Sequence, residues 1–321
     1  ITGEMKTWGK TVSDDAEKFP APTILDFEVT TKCTGVGGKL CSCCYKSNSM
    51  YGKNLSFEDF KIIFDKLPKS ITQIAFGADS KCTTNPDIWD MMLYAKDQGV
   101  IPNITVAELT EERASKLASI CGAVSVSRYD NKQFCYRAVK MLTDYGLDQV
   151  NIHQLISEET YEQARETIED IASDYRLKKL NALVFLSLKT KGRGEHFHPL
   201  SQEKFNALVE LCDKKGIGYG FDSCSSLKFF RSLPEKNYQM YKGFIMPCES
   251  TLESSYINVD GDFFPCSFTE RTEGWEEGIS VKECVDFVKD VWNNPRVEEF
   301  RKRLLDTKKC NEFGCRDCPI Y

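Results

Sequence analysis

Fifteen cysteines in a chain of 321 residues restrict what this sequence can become more than any other feature. Cys33, Cys41, Cys43 and Cys44 form one knot near the start, Cys310, Cys315 and Cys318 a second at the end, and Cys248 and Cys266 a spaced pair between them. A small secreted domain would use so many thiols as disulfides. This chain is long enough for a full core, with 41% apolar and 12% aromatic residues, and residues 1–20 hold no apolar signal core. Metal binding is the better explanation of the knots. Cys82, Cys121, Cys135, Cys212, Cys224 and Cys284 stand singly, and most read as small buried hydrophobes.

Charge narrows the partners. Forty-two basic against 48 acidic side chains leave a net charge of -6 with no basic stripe, so a nucleic-acid partner is not expected. No apolar run approaches the ~18–20 residues that cross a bilayer, so no membrane span is expected, and a cytoplasmic location is.

Between the knots, short β-rich runs alternate with amphipathic stretches. Strands are expected at 23–31, 71–76, 101–106, 123–127, 149–156 and 182–188. Helices are expected from Ser56 onward, with Phe57, Phe60, Ile63, Phe64 and Leu67 on one stripe, and at 88–98, 110–120, 134–145, 158–173 and 202–215. A further strand at 217–221 extends the series. Six βα units fall short of the eight that close a full barrel, so the expected fold is α/β, a partial (βα)6 TIM-like barrel. Beyond about residue 235 the pattern changes. Asp260 and Gly261 mark a hairpin between extended segments 256–259 and 263–265, and a helical region follows over 281–305. The expected organisation is an extension over 1–20, the barrel over 21–235 and a small α+β domain over 236–321.

Cys33, Cys41 and Cys44 are spaced C-x7-C-x2-C after the first strand, where parallel α/β barrels carry their chemistry. A zinc site would need Cys43 as fourth ligand, and the adjacent Cys43 and Cys44 would have to face one ion. Three thiolates with one open position suit an iron-sulfur cluster better.

On these residues the chain resembles the radical S-adenosylmethionine enzymes. The resemblance implies a [4Fe-4S] cluster held by Cys33, Cys41 and Cys44, with S-adenosylmethionine on the open iron. One electron then breaks a sulfur-carbon bond, and a 5'-deoxyadenosyl radical takes hydrogen from a substrate. The commonest family spacing is C-x3-C-x2-C, so the first gap here is longer and holds three glycines. The residue before the last ligand, usually aromatic and near the adenine, is Cys43, with Tyr45 on the other side. Gly77, Ala78 and Asp79 resemble the family's Gly-Gly-Glu segment, which holds the methionyl amino group. Ser127, Arg128, Asn151 and His153 fall where the family contacts ribose and carboxylate, with Arg128 able to fork onto a carboxylate. Gly192, Arg193 and Gly194 resemble a Gly-Arg-Gly stretch of several branches. Lys189, Asp222 and Cys224, near the ends of later strands, are candidate substrate contacts or acid-base groups.

Cys248, Gly261 and Cys266 give C-x12-G-x4-C, which resembles the opening of the SPASM or twitch auxiliary-cluster domain. The resemblance implies one auxiliary cluster, read as [4Fe-4S], on Cys248, Cys266, Cys315 and Cys318, with Cys310 as an alternative ligand. Four-cysteine structural zinc is the competing reading. The implied substrate is a peptide, with oxidation or rearrangement of a small molecule or nucleotide as the alternative. The chain is expected to lack the winged-helix-like leader-binding domain of many peptide modifiers. The implied electron donor is a flavodoxin or ferredoxin-type reductant. A zinc-stapled binding module is the non-enzyme alternative.

Overall fold

The computed structural model describes residues 21–238 and 248–305. The expected alternation is present: β1 (Ile24–Glu28), α1 (Phe57–Phe64), β2 (Gln73–Gly77), α2 (Ile88–Asp97), β3 (Ile101–Val106), α3 (Glu111–Ile120), β4 (Ala123–Ser127), α4 (Lys132–Asp144), β5 (Val150–Ile156), α5 (Tyr161–Ser173), β6 (Ala182–Ser187), α6 (Gln202–Lys215) and β7 (Tyr219–Phe221). The fold class is α/β. The chain divides into two compact units.

Within their described parts, one unit comprises 21–34, 48–105 and 249–305. Its β1, β2 and β3 are hydrogen-bonded in parallel. Leu25 and Phe27 alternate with Asp26 along β1, so one face of the strand is fully buried. The stripe of α1 supplies the cover. Phe60 lies 5.3 Å from the Phe27 ring and 5.9 Å from Phe76, and burying it stabilises the layer by about 2–3 kcal/mol. The helix begins where the sequence signals it, because the Ser56 hydroxyl accepts from the Asp59 amide at 3.1 Å.

Beyond the expected change of pattern come β8 (Ser254–Ile257) and β9 (Asp262–Phe264), paired antiparallel. The side chain of Asn258 accepts from the amides of Asp260 and Asp262, and Gly261 takes φ +86°, the left-handed region an Asp-Gly turn needs. Periodicity did not reveal where this hairpin goes: β8 pairs in parallel with β1, Ile24 opposite Ser254 through Phe27 opposite Ile257. A short β10 (Ile279–Ser280) closes the edge on β9. The expected helical region over 281–305 divides into a π-helical turn, Phe287–Trp292, and a last α-helix, Pro295–Leu305. Pro295 is the cause, since it has no amide to donate and is accommodated only in a first turn.

The second unit, in its described parts 35–47, 106–238 and 248, holds β4, β5, β6 and β7 in parallel order with α3 to α6 and a short α7 (Ser226–Ser232) that the sequence pattern did not signal. Val124, Val126, Ile152, Leu183 and Phe185 are buried beneath the helices. On the opposite face Ser127 stands in register with His153, and His153 with Val184.

Candidate functional site: the cysteine loop and strand ends

The long gap between the first two cysteines is folded on itself. Val36 and Lys39 exchange two backbone hydrogen bonds, at 3.0 and 3.1 Å, around Gly37 (φ +57°) and Gly38 (φ +80°). Gly35 (φ +72°) sits so near the far end of this turn that a Cβ would fall 2.0 Å from the Lys39 carbonyl oxygen and 2.6 Å from the Leu40 nitrogen. Without residues 36–39, Thr34, Gly35 and Leu40 would remain between Cys33 and Cys41, the three-residue gap of the commoner spacing. The turn is held outside: the Gly37 amide donates to Glu108 at 2.8 Å, and Lys39 reaches Asp130 at 3.3 Å.

The rest of the loop lies on the turn after β6. Arg193 donates its Nε to the Cys41 carbonyl at 2.8 Å and its backbone amide to the Cys44 carbonyl at 3.0 Å. Gly192 has φ +57°, and a Cβ there would meet the Tyr45 carbonyl at 2.4 Å and the Cys44 carbonyl at 2.8 Å. A Cβ on Gly194 would lie 3.2 Å from the Cys43 carbonyl. The Gly-Arg-Gly stretch is thus a close backbone contact with the loop. Burial, reinforced by neighbouring Cys44, pushes the Cys43 thiol up to about 11. Tyr129, which the sequence did not single out, is held well above the ordinary phenol range by burial, with Cys41 and Cys43 beside it.

At the end of β1, the Cys33 amide donates to the Ser49 carbonyl at 3.0 Å. Asp79 is 2% exposed, and both carboxylate oxygens are engaged within its own loop. They accept from the Thr83 amide (2.8 Å) and hydroxyl (2.9 Å), the Thr84 amide and hydroxyl (both 3.0 Å) and the Lys81 amide (3.2 Å). The same Thr84 hydroxyl lies 3.1 Å from the Lys32 carbonyl, so its one proton is shared between that carbonyl and the carboxylate, beside Cys33. Gly77 passes close to β1, where a Cβ would lie 3.1 Å from the Glu28 Cα, and Ala78 follows it, half-buried. Asp26 is a further missed residue. Desolvation lifts its carboxyl to about 6.

On the β4 and β5 ends, Ser127 and His153 share a face, whereas Arg128 falls on the helix side of its strand. The Arg128 side chain is buried and donates to Glu166 of α5 at 2.8 Å. Strand alternation therefore commits the expected carboxylate fork to a residue of this chain. Asn151 accepts from Asn181 at 2.8 Å. Burial lowers His153 to about 4, against the opposing pull of Asp222, and keeps its imidazole neutral. Lys189 and Asp222 do come together: the Lys189 ammonium donates to Asp222 at 2.9 Å and to the Ser187 carbonyl at 2.8 Å. Asp222 also accepts from the Ser187 and Ser225 amides. Cys224 is exposed.

Cys266 follows β9, its carbonyl accepting from the Thr269 hydroxyl at 2.7 Å. Cys248 is half-exposed, and Cys310, Cys315 and Cys318 lie outside the described residues.

Residues 248–319 match the SPASM family model, an iron-sulfur cluster-binding domain. Among solved structures, the chain is similar to BtrN in complex with AdoMet and 2-DOIA, at 14% identity over 92% of each chain with a TM-score of 0.48. It is also similar to an HpcH/HpaI aldolase from Desulfitobacterium hafniense DCB-2, at 12% identity over 70% of this chain and 91% of that one, with a TM-score of 0.36. No curated protein sequence matches it.

The SPASM match agrees with how the structure sorts its thiols. Cys33, Cys41, Cys44, Cys248 and Cys266 are all half-exposed, whereas Cys82, Cys121, Cys135, Cys212 and Cys284 are buried. Burial pushes the Cys135 and Cys212 thiols up to about 12, which leaves them as inert hydrophobes. Among the described cysteines only Cys43 and Cys224 also escape burial, and the half-exposed thiols are a soft donor set that fits iron-sulfur chemistry. Among the described residues, no three His, Cys, Asp or Glu side chains are preassembled around a metal position. No described helix is long and apolar enough to cross a membrane.

Proposed function

We propose that this chain is a radical S-adenosylmethionine enzyme with one auxiliary iron-sulfur cluster, acting on a peptide. The observation that carries the reading is the glycine-folded cysteine loop after β1, with half-exposed Cys33, Cys41 and Cys44, in a chain whose segment 248–319 matches an iron-sulfur domain. When bound, the [4Fe-4S] cluster supplies the electron that cleaves S-adenosylmethionine and gives the 5'-deoxyadenosyl radical. The residues of the chain bind and orient. Cys33, Cys41 and Cys44 would hold the cluster. Gly77 and Ala78 offer backbone groups to its amino end, since Asp79 is engaged within its own loop. Ser127, Asn151 and neutral His153 provide hydrogen bonds from one face of β4 and β5, and Tyr45 provides an apolar surface by the loop.

Cys248, Cys266, Cys315 and Cys318 bind the auxiliary cluster, with the small domain running over 236–321. A flavodoxin or ferredoxin-type protein supplies the electron. The peptide assignment rests on the SPASM-like segment, as such domains often accompany peptide modification. Lys189 and Asp222 hold the strand ends, and Cys224, exposed beside them, is the remaining candidate for substrate contact.

Iron and sulfide analysis of anaerobically prepared protein, followed by incubation with dithionite and S-adenosylmethionine, tests the reading. The expected product is 5'-deoxyadenosine, absent from Cys41→Ala. Two equivalents of zinc without sulfide would overturn the proposal. Turnover accelerated by a small molecule or nucleotide, and by no peptide encoded near the gene, would replace the substrate class.

A further inference from the structure

We infer that the turn after β6 is a clamp for the cysteine loop and that Arg193 is its positioning residue, setting both the loop's hold and the electrostatic potential at Cys41. The inference rests on the cofactor reading above only for its redox consequence. One side chain and one backbone amide, both from Arg193, grip the carbonyls of Cys41 and Cys44, the two ends of the C-x2-C segment. The glycines on either side permit the approach. A Cβ at Gly192 would strike two carbonyl oxygens of the loop at 2.8 Å or less, and one at Gly194 would meet the Cys43 carbonyl at 3.2 Å and that of Lys189 at 3.0 Å.

The clamp stands on a buried base. Lys189 is 4% exposed and bonded to Asp222, and its carbonyl accepts from the Lys191 amide at 2.7 Å. The Lys191 carbonyl accepts from Gly194 at 3.0 Å, which closes the turn. Position is therefore passed from the β7 end through Asp222 and Lys189 to Arg193 and the loop. Arginine suits the place because its guanidinium stays charged while its Nε makes a directed bond. That charge lies on the peptide of a proposed cluster ligand, where it favours the more negative, reduced state of a neighbouring centre.

The test compares Arg193→Gln, Arg193→Lys and Gly192→Ala with wild type in the full chain. Gly146→Ala serves as control, because Gly146 also has positive φ (+86°) but open space around it. The first readout needs no metal: the alkylation rate of Cys41 and Cys44 in metal-free protein, assigned by peptide mapping. Gly192→Ala, which keeps the Arg193 charge, should react on the order of tenfold faster than wild type, the scale of losing a hydrogen bond to a charged donor. Arg193→Gln should be accelerated less, because losing the guanidinium also disfavours the reactive thiolate. Gly146→Ala should react at the wild-type rate even if its melting temperature falls. The second readout is the midpoint potential of the reduced signal that changes on adding S-adenosylmethionine. Arg193→Gln should shift it negative by on the order of 59 mV, tenfold in a one-electron equilibrium, and Arg193→Lys should restore most of that shift.

Equal alkylation in Gly192→Ala and Gly146→Ala would overturn the clamp, and so would an unchanged potential in Arg193→Gln. Wild-type protein lacking iron and sulfide would overturn the cofactor reading instead, and the alkylation rates would still decide the clamp.

Discussion

His153 shows how a single residue is reshaped by its surroundings. From the sequence it is a histidine on a strand end, and the fold lowers it to about 4 by burial. Between that value and the ordinary 6.5 the unfolded chain binds the proton and the folded chain does not. Stability therefore rises with pH through this window and is lost as pH falls from about 6.5 toward 4. Urea midpoints of wild type and His153→Gln should converge at acid pH, the variant showing a slope shallower by at most about 1.4 kcal/mol per pH unit. Equal slopes would show that His153 titrates normally. Lys189 makes a second point at this scale. Lys189→Met keeps the aliphatic stem but leaves Asp222 without its cation, and should cost about 3 kcal/mol in denaturation. Asp222→Asn in the same chain should recover part of that loss, as expected for a pair.

Among the elements, the turn at 36–39 is separable from what it interrupts. Gly35 already lies against Leu40, so joining the two asks little of the backbone. Deleting residues 36–39 should leave iron content and 5'-deoxyadenosine formation within about twofold of wild type, on the order of 0.4 kcal/mol. Loss of bound iron would show that the turn itself shapes the ligand set. The hairpin of β8 and β9 behaves differently, because β8 is hydrogen-bonded to β1. The periodicity that located both strands says nothing about this pairing. A sequence carries strand length and facing in its alternation, but the partner of an edge strand is chosen by which unpaired backbone it meets.

For the whole molecule, the proposed clusters divide between two stretches of chain. Replacing Cys33, Cys41 and Cys44 by alanine should remove about half the iron and all 5'-deoxyadenosine formation, given two [4Fe-4S] clusters. Replacing Cys248 and Cys266 should remove the other half and spare S-adenosylmethionine binding at the first cluster. Complete iron loss in either variant would mean that the two centres assemble as one.

The sequence by itself determined the βα alternation, the capped start of α1, the Asp-Gly hairpin and the grouping of cysteines, because each is written in a local period or spacing that backbone geometry must obey. It also grouped the knots apart from the six single cysteines, of which the structure buries five and exposes Cys224. Tertiary structure decided what those residues face. Strand alternation turned Arg128 toward α5, and the loop after β2 drew both oxygens of Asp79 into its own threonines. The turn after β6 brought Arg193 to Cys41 across 152 residues of chain. Contacts of that separation depend on which surfaces close-pack and which buried polar groups find partners, and neither is encoded in any short window of sequence.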